Sequence, residues 1–183
     1  MDASRVDVLR TLESLYGRAE RYRDLADCLR AQIQLEEGGE AAALARHRLG
    51  ACLHGHLGET EAALQAYGLA LQTVMSEPTL RALEAILADE AQRNHWPNIL
   101  DRLGRAYEQG ESGGQLADIW ERRVEAASGG HDRVSLLRKL ATLQERRLGD
   151  GAAAARSLGR AVREWPGDKD LRRSAERLVA AHG

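Results

Sequence analysis

The strongest constraint on the fold of this chain is that its two halves match. Slid along itself without gaps, the sequence shows identities from end to end at an offset of 91 residues, half of its 183. Leu9, Leu12, Tyr16 and Glu20 return as Leu100, Leu103, Tyr107 and Glu111, and Leu25-Ala26-Asp27 returns as Leu116-Ala117-Asp118. The loop Gly38-Gly39 returns as Gly129-Gly130. Leu49, Leu57-Gly58, Ala62-Ala63, Gly68, Ala70, Leu80-Arg81 and Leu87 return as Leu140, Leu148-Gly149, Ala153-Ala154, Gly159, Ala161, Leu171-Arg172 and Leu178, making 19 identities in 92 aligned positions. A composition rich in Ala, Leu and Arg yields many such matches by chance, so the recurring loop glycines decide the reading. It is a tandem duplication, 1–91 and 92–183, forming one continuous domain.

Within each half the apolar spacing is helical, and Gly or Pro clusters cut it into five segments. The first half predicts helices near 5–18, 22–36, 40–56, 60–75 and 79–92, the second near 96–109, 114–127, 132–148, 151–165 and 169–181. Val8, Leu9, Leu12, Leu15 and Tyr16 form one apolar stripe on the first helix, and Leu136, Leu137, Leu140, Leu143 and Leu148 form one on the eighth. Ser76-Glu77-Pro78 and Pro166-Gly167-Asp168 supply cap chemistry before the fifth and tenth helices. Short loops make neighbouring helices antiparallel. Glycine inside a helix is unfavourable by about 1 kcal/mol relative to Ala, so Gly68 and Gly159, at equivalent positions, point to close helix contact.

Composition excludes the other classes. Seven Val, four Ile and five Thr stand against a great excess of Ala, Leu, Glu and Arg, which leaves too few β-formers for a sheet. No apolar run is long enough for a membrane span and the start lacks a secretory core, so a cytoplasmic protein is expected. Cys28 and Cys52 are too few for a disulfide framework and are expected as reduced core residues. Arginine outnumbers lysine 24 to 2, as expected from the codon bias of a high-GC bacterial genome. Residues 1–91 hold 9 basic and 15 acidic side chains and residues 92–183 hold 17 and 13, a contrast that favours head-to-tail self-association.

At Leu49-Gly50, Leu53, Gly58, Ala63, Tyr67 and Ala70-Leu71 the chain resembles the tetratricopeptide repeat, with one extra residue in the turn and Pro78 arriving late. Leu140-Ala141, Gly149, Ala154, Leu158, Ala161 and Pro166 repeat the resemblance. Leu103-Gly104, Tyr107, Leu116, Trp120 and Val124 carry it in the sixth and seventh helices, and Leu12, Tyr16, Leu25, Leu29 and Ile33 carry it more loosely in the first two. The resemblance implies a right-handed α-solenoid of antiparallel hairpins serving as a non-catalytic protein-interaction scaffold, either alone or as a segment of a larger repeat protein. Five helices per half leave one unpaired. The fifth is expected to act as a joint rather than to pair with the sixth, and the tenth, with Leu171, Ala175, Leu178 and Val179 on one face, to act as a terminal cap. In this family the first helix of each hairpin lines a concave groove. Carried over, that face gives Asp7, Arg10 and Ser14, then Leu44, His47, Ala51 and His54, then Asn98, Asp101 and Arg105, then Ser135, Arg138, Thr142 and Glu145. The Lys and Asn pair of chaperone-binding members is absent where Arg10 and Ser14 stand. Arg10, Arg105 and Arg138 could still fork onto a carboxylate.

Other chemistry is weaker. Gly110-Glu111-Ser112-Gly113-Gly114 matches a nucleophile elbow by letter, but a helix rather than a strand precedes it. Cys52, His54 and His56 do not converge on a helix, so neither a metal nor a cofactor is expected. The basic second half, with Arg122, Arg123, Arg133, Arg138, Lys139, Arg146, Arg147, Arg156, Arg160 and Arg163, raises nucleic-acid binding as the competing function. Thirteen interspersed acids and the scarcity of exposed aromatics weigh against it.

Overall fold

A computed structural model describes residues 3–36, 38–110 and 112–182. Among the described residues ten α-helices follow one another: α1 (Ala3–Arg18), α2 (Tyr22–Leu35), α3 (Gly39–Gly55), α4 (Thr60–Thr73), α5 (Glu77–Ala88), α6 (Trp96–Gln109), α7 (Gly113–Ala126), α8 (Gly130–Arg146), α9 (Gly151–Glu164) and α10 (Lys169–His182). A short 3₁₀ helix (Glu90–His95) stands between α5 and α6. No strand occurs among the described residues, and none of the helices is long and apolar enough to cross a membrane. The chain divides into two compact units, Met1–Ile99 and Leu100–Gly183.

In the first unit α1, α2, α3, α4 and α5 pack in chain order, and α5 also touches α3. Leu29, Leu53, Leu64 and Leu83 are fully enclosed, each contributing roughly 1.5–3 kcal/mol through removal of apolar surface from water. In the second unit Val124 of α7, Val134, Leu137 and Ala141 of α8, Ala154, Leu158 and Ala161 of α9, and Leu171 and Leu178 of α10 form one core. Gly104 of α6 lies near the Ile119 side chain of α7. Cys28 and Cys52 are free and buried, and burial pushes both thiols up from their ordinary pKa.

The turns after α3 and α8 have the same hydrogen bonds. The amides of His56 and Leu57 donate to the Cys52 carbonyl and that of Glu59 to Leu53; those of Arg147 and Leu148 donate to Leu143 and that of Asp150 to Gln144. Each turn needs a left-handed residue, supplied by Gly58 at φ 70° and Gly149 at φ 66°. The other recurring glycine loop differs: Gly38 has φ 104°, whereas Gly129 is extended at φ −104°.

Several local expectations change. On α1 Val6 is buried, while Val8 and Leu15 of the expected stripe are 57% and 52% exposed. Val179 of α10 and Leu148 after α8 are also exposed. Gly159 meets nothing that a Cβ would touch; among the glycines with a close neighbour is Gly50, where a Cβ would stand 2.7 Å from the Tyr67 ring. Asp168 caps α10 as expected, accepting from the amides of Asp170 and Leu171, but Ser76 makes no side-chain bond and Pro78 alone marks the start of α5. The fifth helix ends at Ala88 rather than near 92. Asp89 turns extended there, and its carboxylate accepts from the Ala91 amide to start the 3₁₀ helix.

Candidate partner-binding grooves

The first unit has a groove of about 730 Å³ with α1 and α3 as walls and Leu25 of α2 in its lining. Arg10 and Ser14 enter it from one wall and Leu44 from the other, as the helix register requires for residues four apart. The structure adds Glu13, Arg18 and Arg48, which the family register did not single out. Arg48 Nη1 donates to both Glu13 oxygens at 2.8 Å, and the buried Gln32 amide donates to Glu13 Oε2 at 3.0 Å, so one carboxylate braces three helices. Arg10 Nη2 lies 3.5 Å from Oε1 of the buried Glu36, whose other oxygen has no partner.

The remaining residues expected on α3 have other occupations. His47 Nδ1 is 3.1 Å from the hydroxyl of Thr79 on α5, and its ring lies 5.7 Å from that of Tyr67 on α4. Burial first, and the neighbouring Arg48 second, lower the His47 pKa, while burial pushes the Tyr67 phenol up to about 12. His54 Nδ1 is 3.1 Å from Thr60 Oγ1, and Ala51 is exposed. Cys52 Sγ donates to the Tyr22 carbonyl at 3.4 Å and His56 stacks on the Tyr22 ring at 3.8 Å, so Cys52, His54 and His56 each engage a different group. No cluster of three or more possible metal ligands occurs among the described residues.

In the second unit a cleft of about 290 Å³ opens between α8 and α10, lined by Ala141 of α8, Leu158 of α9 and Leu171 of α10. Of the expected residues, Arg138, Thr142 and Glu145 line it. Two ion pairs bridge the helices: Arg138 to Asp168, and Arg177 forked onto both oxygens of Glu145 at 2.9 and 3.1 Å. Hydrogen bonding from Arg177 holds the Glu145 carboxyl below its ordinary pKa and raises that of the guanidinium. Thr142 and Ser174 donate to carbonyls in their own helices, at 2.9 and 2.8 Å, leaving their oxygen lone pairs toward other donors. Asp170, Ser174 and Arg177 come from the helix expected to be a plain cap. Their spacing of three and four, on either side of Leu171 and Leu178, was the available signal.

Elsewhere Asp101 and Arg105 pair along α6 at 2.6 Å, and Arg123 of α7 approaches Asp101 at 3.9 Å. Asn98 donates to Glu61 at 3.4 Å, and Asp7 and Ser135 are exposed. Within the basic stripe Arg123, Arg133, Arg138 and Arg160 pair with Asp101, Glu164, Asp168 and Glu121, and Arg147 donates to the Gly110 carbonyl. Of the elbow-like string, Glu111 lies outside the described residues. Ser112 precedes α7, Gly113 and Gly114 begin that helix, and α6 comes before it. No model of a protein family, no curated protein and no solved structure matches the chain.

Proposed function

We propose that this chain is a non-catalytic protein-interaction scaffold, a right-handed solenoid of tetratricopeptide-like hairpins that binds a peptide or protein segment. The observation that carries the reading is that each unit opens a groove between two helices flanking a third, with expected recognition residues on its walls. These are Arg10, Ser14 and Leu44 in the first unit and Arg138 and Thr142 in the second. Both grooves combine apolar surface with arginine forks, a surface that suits a peptide with carboxylate and apolar side chains. The reading is of a bacterial, cytoplasmic adaptor, whether free or within a larger repeat protein; the arginine-rich composition supports the bacterial source. Head-to-tail contact between copies is a further partner reading, supported by the opposite charges of the halves.

Selection of a displayed random peptide library on the intact chain tests the function. Peptides should be recovered, and their binding should fall with Leu44→Asp or with Arg138→Glu. An empty selection, or peptides indifferent to both substitutions, would overturn the groove reading.

A further inference from the structure

We infer that the α1–α3 groove recognises an extended acidic segment of a partner protein, in which two carboxylates four residues apart flank an apolar side chain. The inference rests on the groove being a peptide site and specifies the chemistry of its ligand. The charge of the walls comes first. Arg10, Arg18 and Arg48 line the groove against a single lining carboxylate, Glu13, which is already committed to Arg48 and Gln32. Arg18 is exposed and makes no ion pair or hydrogen bond among the described residues. Arg10 is half exposed and held by Glu36 only at 3.5 Å, the long end of a hydrogen bond. Two guanidinium forks therefore retain the paired donors that match a carboxylate.

Spacing sets the pattern of the ligand. Arg10 and Arg18 are eight residues apart on one helix, which at 1.5 Å per residue places them about 12 Å apart along its axis. One carboxylate cannot reach both forks. An extended strand advances about 3.3 Å per residue with alternate side chains on the same face, so residues i and i+4 span about 13 Å and residue i+2 lies between them. Ser14 lies midway between the two arginines on α1, and Leu25 and Leu44 add apolar surface to the same groove; Leu44 is 50% exposed and is offered to the central side chain.

A fluorescein-labelled peptide centred on glutamate, serine, leucine, serine, glutamate tests this by anisotropy with the intact chain at low ionic strength. Binding should weaken as salt is raised, and Arg18→Glu and Leu44→Asp should each weaken it by about tenfold or more, a difference of about 1.4 kcal/mol. Arg163→Glu, at an exposed position of α9 away from the groove, should leave it unchanged. Moving one glutamate so that the acids are three apart puts them on opposite faces and should also weaken binding. The inference is overturned if the acidic peptide fails to bind, if a peptide with lysines in place of the glutamates binds equally, or if Arg18→Glu has no effect. Should the acidic peptide fail while library-selected peptides of other composition still depend on Leu44, the acidic specificity falls and the groove stands. Should the library also yield nothing, both fall.

Discussion

The segments α3–α5 and α8–α10 correspond in sequence at the offset of 91 residues, yet the fifth helix buries the face whose counterpart on the tenth lines an open cleft. In the first, Thr79, Leu80, Leu83 and Ile86 of α5 are all buried, and Thr79 meets His47. In the second, the positions 91 residues later are Asp170, Leu171, Ser174 and Arg177; only Leu171 keeps its apolar role, and the walls are joined by ion pairs. The opposing helix changes in step, with His47, Ala51 and His54 standing against Arg138, Thr142 and Glu145. Leu87 and Leu178 are buried in both. The buried face and the polar cleft thus differ at three positions of the last helix and three of the helix opposite, around the shared Leu80/Leu171 and Leu87/Leu178 anchors. Anchoring residues can stay fixed while the neighbouring positions are released for recognition.

The largest effect should come from giving the sealed region a residue of the open one. Leu83→Ser removes a fully buried side chain and leaves a hydroxyl in its place, and the loss should be about 3–5 kcal/mol on the scale of large-to-small core substitutions. Urea unfolding should show a lower midpoint with an unchanged slope. If the midpoint holds, Leu83 does not maintain the seal.

Next in size is the volume exchange between α3–α4 and α8–α9. Gly50 faces the buried Tyr67 ring in the first unit; Ala141 and Leu158 stand at the equivalent positions in the second and share its core. Gly50→Ala places a Cβ against a ring that has little room to retreat, so it should destabilise by about 1–3 kcal/mol despite the helix preference for Ala. The double variant Gly50→Ala, Tyr67→Leu recreates the pair of the second unit. It should recover part of the loss, giving a favourable coupling in a double-mutant cycle. Strict additivity would show that the two pairs do not solve the same packing problem.

Helix positions were legible because Gly, Pro and polar clusters punctuate the apolar periodicity; the α6 range is the same in sequence and structure. The end of α5 was not, since Asp89-Glu90-Ala91 continues a helical composition and only the Asp89 side chain, by taking the Ala91 amide, diverts it. Arg10 and Ser14 are placed by the helix face that the family resemblance implies, and they line the α1–α3 groove. His47 could not be placed in that way, because its partner Thr79 is 32 residues away on another helix. The exposure of Val8 and Leu15 was hidden for a similar reason. An apolar stripe records which residues share a face, not whether anything covers it. Gly159 shows the limit from the other side, a recurring residue with open space beside it.

A smaller effect separates the two regions by pH. Burial lowers the pKa of His47, so the native state favours its neutral form while the unfolded chain takes up a proton near the ordinary histidine value of about 6.5. Between the lowered native pKa and that value the unfolded state binds more protons, and stability rises with pH. Its contribution is fully present above about 6.5 and declines as the pH falls through the native pKa. The urea midpoint should therefore drop on acidification, and His47→Gln should flatten that part of the profile. Arg138, at the equivalent position, stays charged throughout. An unchanged profile in His47→Gln would assign the pH dependence to other groups.

The smallest effect on stability is expected at the open cleft. Glu145 and Arg177 are bonded through both oxygens and both terminal nitrogens, yet they are solvent-accessible. Water and salt screen such a pair, and ordering two long side chains opposes it. Arg177→Ala should leave the urea midpoint within experimental error while returning the Glu145 carboxyl toward its ordinary pKa, a shift read from its carbon resonance during an acid titration. A large fall in the midpoint would mean that the ion pair holds α10 in place and that the cleft is a structural joint. A stable variant with a normally titrating Glu145 would show that Leu171 and Leu178 anchor the helix without it. The polar wall between them would then be free to exchange Glu145 for the carboxylate of a ligand.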